Sequence, residues 1–234
     1  MPRKKKKQSN IKRLLQMAAL IAVSLFLFTI FQVLTLRFVN PPFIMGTTYD
    51  RVVQVYKGEP WQQPAWYWVS LDDMSTYLKK AVLASEDQRF LKHHGFDFIE
   101  LKIVLKDLSS IGKSRGASTI TMQTARTIFL LPSRSIIRKL FEAYYTVLIE
   151  ILWNKQRIFE VYMNTVDWGP HILGAEAAAR IYFNKSAKTL TREQAALLAA
   201  ILPSPRRWSP VSPSEHVRWR QKHIMGAMDK MPRL

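Results

Sequence analysis

Hydrophobic and polar positions divide the chain into stretches with different periods. From Leu14 to Leu36 the sequence LLQMAALIAVSLFLFTIFQVLTL runs for 23 residues without a formal charge. At about 1.5 Å rise per residue, a helix of that length crosses a hydrocarbon core of about 30 Å with some tilt. Gln16 and Gln32 lie near its ends, where a polar amide costs least. The rival reading is a cleavable signal peptide, but the stretch exceeds the usual apolar region of about 7 to 15 residues and no small-x-small site follows it. An uncleaved single transmembrane helix is therefore expected. Asn40, Pro41 and Pro42 end any continued helix. Beyond them come VVQVY and then Trp61, Trp66, Tyr67 and Trp68, with Pro60 and Pro64 interspersed, a pattern that predicts short extended segments or loops. The aromatic residues fit either a headgroup belt or a domain core.

From Ser75 the period becomes helical and stays so almost to the end. Leu78, Val82 and the i+8 position Glu86 stack on one face. Phe98, Leu101, Leu105 and Leu108 form a second apolar stripe, which stops at SSIGKSRGAS. Leu140, Tyr144, Val147 and Ile151, then Ile158 and Tyr162, mark the helical segment 136–164. GAEAAARIYF and TREQAALLAAIL predict two more helices, the latter capped by Thr191 and ended by Pro203. The fold class is mostly α, with any strand confined to the thirty residues after the anchor. Four regions follow: a basic tail at 1–13, the transmembrane helix at 14–36, an aromatic-rich membrane-proximal segment at 37–69, and a helical domain at 70–234.

Charge changes the picture by giving the anchor a direction. The 35 Lys and Arg against 17 Asp and Glu make a formal net charge of +18 over 234 residues. Seven of the positive charges stand in the first thirteen positions, and no acidic residue precedes Asp50. Only Arg37 flanks the other end of the apolar run, so the N-terminus is expected in the cytoplasm and the domain across the membrane. Removing those seven leaves 28 basic against 17 acidic residues, a net +11 that needs its own anionic partner. A basic run directly before a spanning segment orients the membrane helix, which removes the reason to expect nucleic acid. The absence of cysteine excludes disulfides, thiolate metal clusters and a cysteine nucleophile.

Three constellations carry candidate chemistry. SEDQRFLKHHGFDF brings Glu86, Asp87, His93, His94 and Asp97 together. The adjacent histidines lack the i, i+4 spacing of a helical zinc motif, which disfavours a dedicated zinc site. Glu86, continuing an apolar stripe, would be desolvated towards the working range of a general base; the alternative is a surface pair with Arg89 at i+3. In SRGASTITMQTARTIFLL, Gly116, Ala117, Ser118 and Thr119 precede a helical run, with Lys113, Arg115 and Arg126 around them. That arrangement suits an anion at a helix N-terminus, or simply a Ser or Thr cap; it lacks P-loop spacing. In RKLFEAYYTVLIE, Arg138 and Glu142 at i, i+4 read as a surface ion pair opposite Leu140, Tyr144 and Val147, or Arg138 with Lys139 as a diphosphate clamp.

The succession EDQRFLKHHGFD, GASTITMQ, RKLFEAYY, KQRIFEVYMN, GAEAAARIYF and AALLAAILPSP closely resembles the family 51 peptidoglycan glycosyltransferases, from about Trp68 to Pro210. The resemblance implies a lysozyme-like α-helical glycosyltransferase domain at the outer face of a bacterial inner (cytoplasmic) membrane, facing the periplasm. Such a domain polymerises the lipid-linked disaccharide-peptide lipid II into β-1,4 glycan strands and releases undecaprenyl diphosphate. Its implied partners are lipid II, the growing glycan chain and proteins of wall elongation or division, and its implied cofactor is a divalent cation, Mg or Mn. Roughly 24 residues follow Pro210, too few for a transpeptidase domain, so the monofunctional branch is expected.

By the same resemblance Glu86 is the base that deprotonates the acceptor's 4-hydroxyl, and Glu142 is a second acid near the donor's phosphates. Asp87, Ser118, Thr119, Gln123, Arg126, Arg138 and Lys139 fall on substrate-binding positions. Two positions depart from the family pattern: Arg126 and Thr127 stand where Lys and Asn are usual, and His171 stands where glycine is common. The competing readings are a membrane-anchored lysozyme-like muramidase or lytic transglycosylase, and a non-catalytic wall-binding scaffold in which Glu86 and Glu142 are mere ion-pair partners.

Overall fold

The computed structural model describes residues 2–111, 116 and 118–234, with side chains left out at 2–10, 105 and 107–111. Lys113, Arg115, Ala117 and the side chains of Leu105 and Leu108 therefore lie outside the described residues. Two compact units are present, one ending at Asn40 and one spanning Pro41–Leu234. The first is a single helix, α1 (Pro2–Phe38). Its stretch Ile11–Phe38 is long and apolar enough to cross a membrane. It stops two residues before Asn40, where the Asn-Pro-Pro sequence denies further helical hydrogen bonds.

The second unit begins earlier than position 70. VVQVY belongs to a helix, α2 (Met45–Tyr56), and not to an extended segment. α2 lies near α5 but buries no residue, and Val52 and Val55 remain exposed. Strands also occur outside the predicted window. β1 (Ala65–Trp66) pairs in parallel with β3 (Ile172–Leu173), which pairs antiparallel with β2 (Asp167–Gly169). Pieces this short carry too few alternating positions to show a period of two. Trp66 and Trp68 are half-buried on the domain. The Trp66 indole donates to the Asn164 carbonyl at 2.7 Å, and Arg157 stacks over Trp68.

Helices build the rest. α3 (Thr76–Glu86), α9 (Arg192–Ile201) and α10 (Glu215–Met228) pack together, and α5 (Ile120–Phe129) packs against α6 (Ile136–Leu152) and α7 (Lys155–Thr165). α4 (Phe98–Ile111) lies between α3 and α5 in sequence, and α8 (Ala175–Phe183) follows β3. The alanines of α8 and α9 are fully buried, because small side chains let helices approach closely. Thr191 caps α9 in a reciprocal box with Gln194, as its sequence predicts. The continuous helical segment expected over 136–164 is broken at Trp153, and Asn154 starts α7 by accepting the Arg157 amide.

The largest departure from the hydrophobic pattern lies on α6. Its buried face is Glu142, Tyr145, Thr146 and Ile149, whereas Leu140, Val147 and Ile151 face outward with Ile136, Ile137 and Phe141. Phe98 and Leu101 of α4 are likewise exposed. At their described positions these stripes face outward, so a rule that equates apolar with inward places Leu140, Val147 and Ile151 on the wrong side of α6, whose buried face carries Tyr145 and Ile149 together with Glu142 and Thr146.

His171 occupies the left-handed region with φ 58°, on the tight connection between β2 and β3. Its ring is exposed, and its carbonyl accepts the Ala65 amide at 2.9 Å. The backbone here takes the conformation that a glycine adopts freely and a histidine only at some cost. His171→Gly should therefore raise stability by about 0.5–1 kcal/mol, as relieved strain outweighs the added freedom of the unfolded chain; parallel thermal denaturation of the two proteins checks it.

Candidate active site

Glu86 is the last residue of α3, on the same face as the fully buried Leu78 and Val82. It is half-buried and does not pair with Arg89, which instead bridges Asp97 at 3.0 Å. The helix stops at Glu86, so the i+3 geometry that would bring Arg89 alongside is lost. Two hydrogen bonds hold the carboxylate: Gln123 Nε2 donates to Oε2 at 3.0 Å, and the Ser85 hydroxyl donates to Oε1 at 3.1 Å. Burial pushes this carboxyl above the usual glutamate range. The hydrogen bonds from Gln123 and Ser85 and the nearby Arg220 charge oppose that shift, while Asp87 adds to it.

Asp87 caps the end of α3 and is buried. Its oxygens receive His93 Nε2 at 3.0 and 3.1 Å, and Oδ2 also accepts the Ile120 amide at 3.1 Å. The N-terminus of α5 is thus already occupied by a protein carboxylate. Thr119 is its cap: the hydroxyl accepts the Met122 amide and donates to the Gly95 carbonyl at 2.6 Å. Gly95 sits at φ 84° against α6, where a Cβ would lie 2.7 Å from the Thr146 methyl. For Thr119 the capping alternative therefore holds, and Asp87 fastens α3 to α5.

Asp87, His93 and Asp97 place potential ligand atoms within 4.8 Å of one another, a convergence that sequence adjacency hides; His94 points to solvent. Those oxygens are already engaged. Asp97 Oδ1 accepts the Ile99 and Glu100 amides, and Oδ2 meets Arg89. A divalent ion would have to displace these bonds and a guanidinium, so the trio does not fit a resident metal and serves to lock the loop.

On α6 the expected surface pair is a buried one. Glu142 is fully buried, with Arg138 Nη1 donating to one oxygen and Lys139 Nζ to the other. Lys139 also reaches the half-buried Ser118 hydroxyl at 3.4 Å. Arg138 in turn lines a cavity of about 590 Å³ with Arg126, Arg134 and Arg206. Asp50 and Asp167 are the acidic residues on its wall, and Arg206 Nε is held by Asp167 at 3.0 Å. Gln123 and Arg126 lie one turn apart on α5, so a single helix links the Glu86 carboxylate to this cationic wall.

Sequence reasoning brought Glu86, Gln123, Arg126, Arg138, Lys139 and Glu142 to attention but missed four residues. Arg134 and Arg206 stand in the loop segments LPSRS and PSPRRW, whose basic character was the available signal. Tyr162 counted only as a core position. Its buried hydroxyl has no hydrogen-bond partner among the described residues, and its pKa lies well above the usual tyrosine value through burial, with smaller effects from Glu86, Arg126 and Asp87. Arg220, 134 positions from Glu86, gave no signal at all.

Comparison with known proteins identifies the family. A family model described as Transglycosylase matches residues 52–229. A "Biosynthetic peptidoglycan transglycosylase" of Bacteroides thetaiotaomicron is 42% identical over 226 residues, covering 95% of this chain and 90% of that protein. Proteins of the same name are 42% identical in Vibrio parahaemolyticus, covering 94% of this chain and 97% of the other, and 44% identical in Rhodospirillum centenum, covering 92% and 91%. With the family model matching residues 52–229 and these relatives aligned over nine tenths or more of both chains, this chain belongs to the transglycosylase family.

Proposed function

We propose that the protein is a peptidoglycan glycosyltransferase that polymerises lipid II into β-1,4-linked strands by inverting displacement. The observation that carries this reading is the pairing of one desolvated carboxylate, Glu86, with an arginine-lined cavity one helical turn along α5. Hydrolysis of a glycoside requires a second carboxyl group to act as acid, nucleophile or base. The fully buried glutamates, Glu142 and Glu176, have both oxygens engaged, Glu142 by Arg138 and Lys139 and Glu176 by Arg180 and the Ala187 amide. A sugar diphosphate leaves as an anion, so a single base and a cationic cradle suffice. Glu86 takes the proton of the acceptor's 4-hydroxyl as the new C–O bond forms. Arg126, Arg138 and Lys139 receive the departing diphosphate, joined by Arg134 and Arg206 on the cavity wall.

The membrane assignment rests on α1 and on the outward apolar residues of α4 and α6. A helix with a basic flank at its N-terminal end favours a cytoplasmic N-terminus and a domain on the outer face of the cytoplasmic membrane. Phe98, Ile136, Ile137, Leu140 and Phe141 suit contact with lipid better than contact with water. The divalent cation implied by the sequence resemblance would arrive with the diphosphate, whose hard oxygens suit Mg or Mn, and not on the closed Asp87 cluster. Incubation of the purified full chain with labelled lipid II is expected to yield long glycan that muramidase then cuts to disaccharide units. Shortening of preformed glycan, with none made from lipid II, would assign the protein to the lytic class instead.

A further inference from the structure

We infer that the Ser85 hydroxyl is a two-position proton donor that follows the charge state of Glu86, and that Arg220 confines it to those two positions. The inference rests on the reading of Glu86 as the base. Ser85 Oγ lies 3.1 Å from Glu86 Oε1 and 3.1 Å from the Ala199 carbonyl of α9, and it has one proton for these two acceptors. Arg220 Nη2 donates to the same hydroxyl oxygen at 3.2 Å. The guanidinium is itself fixed: its Nε donates to the Ala200 carbonyl at 2.9 Å and its plane lies over Trp208. With one lone pair of Ser85 taken by Arg220, the hydroxyl proton is left two directions.

The charge on Glu86 chooses between them. A carboxylate is the stronger acceptor, so before reaction the proton points to Oε1 and stabilises the charged base. When the acceptor's 4-hydroxyl proton has moved to Glu86, the preference is lost and the Ser85 proton turns to Ala199. No proton passes through Ser85; it reorients. The other groups facing Glu86 are Asp87 at its side, Gln123 from α5, Tyr162 from α7 and Arg220 from α10, with Arg126 beyond them acting on Tyr162. Among them Gln123 and Arg220 favour the charged form and Asp87 opposes it, whereas the Ser85 hydroxyl, hydrogen-bonded to the carboxylate and within reach of a second acceptor, can answer a change of charge by a rotation.

The test is the pH dependence of kcat/KM for the full chain in lipid vesicles. Ser85→Ala is expected to move the acid limb upward by about one pH unit, since the charged form loses a charge-assisted hydrogen bond. Ser85→Thr keeps the hydroxyl and should restore the limb. Arg220→Lys keeps the charge but not the planar fork, and should move the limb in the same direction as Ser85→Ala; a limb left in place overturns the part given to Arg220. Infrared titration of the Glu86 carboxyl band, identified by subtraction of a Glu86→Gln spectrum, should show the same upward shift in Ser85→Ala without any turnover. A Ser85→Ala limb that superimposes on the wild type while Glu86→Gln is inactive overturns the Ser85 proposal alone. An active Glu86→Gln protein overturns the base itself, and Ser85's role with it.

Discussion

Glu86→Gln should lower polymerisation from lipid II by roughly 100- to 10,000-fold, the range general-base catalysis supplies, and should leave the fold at least as stable as before. The substitution is close to isosteric. The new amide oxygen still accepts from Gln123, and the new NH₂ group meets the Ser85 oxygen, whose own proton can turn to Ala199. Stability follows from the direction of the Glu86 shift. A carboxyl whose folded-state pKa is raised holds its proton more tightly in the folded protein than in the unfolded chain. Its stabilising contribution is complete below the unfolded-state pKa and disappears as pH rises through the folded one. At neutral pH the wild type therefore carries a desolvated charge at some cost, which a neutral amide avoids. The variant should melt no lower than wild type at neutral pH, and the gap should narrow in acid. Loss of activity with a lowered melting temperature at neutral pH would point to a structural role for Glu86 instead. Full activity would overturn the assignment of Glu86 as the base.

How far the sequence disclosed this site depends on the kind of feature. Glu86 was legible because Leu78 and Val82 set its helix face and a helix terminates locally. Thr191 and Pro203 were legible for the same reason, since caps and terminators act within one turn. The environment of Glu86 was not. Ser85 is its neighbour in the chain, but Gln123 and Arg220 come from two other helices, and only the packing of α3 against α9 and α10, and the reach of α5, brings them in. Glu142 shows a second limit. Helical spacing gave its partner Arg138 correctly, but the apolar positions beside it pointed to the wrong inward face, because Leu140, Val147 and Ile151 are kept on the outside. Hydrophobic periodicity locates a face that avoids water, and a membrane satisfies that preference as well as a core does. VVQVY in α2 shows a third: β-branched residues with an extended preference sit in a helix that buries none of them.

Glu142→Gln is expected to lower kcat/KM by roughly 100-fold, comparable to removing one oxyanion-stabilising donor, while leaving the acid limb of the pH profile where Glu86 puts it. The carboxylate is fully buried, its Arg138 partner is 18% exposed at the side chain, and Lys139 is 46% exposed. One anion thus fixes two cations at the edge of the arginine-lined cavity. An amide offers one oxygen where two were in use, so either the guanidinium or the ammonium loses its anchor and swings into solvent. Substrate would then meet a cradle that must be ordered on binding, which raises KM and lowers kcat together. The reciprocal change separates this positioning role from a proton-donating one. Arg138→Ala leaves Glu142 buried with Lys139 as its remaining partner, and breaking a buried pair from the cationic side costs on the order of 3 kcal/mol. Arg138→Ala should therefore be the less stable variant and Glu142→Gln the milder, a ranking that thermal denaturation reads directly. If Glu142 instead delivered a proton to the leaving group, Glu142→Gln would remove the alkaline limb of the profile. A profile that keeps both limbs at a uniformly lower rate is the signature of two cations that have lost their common anchor.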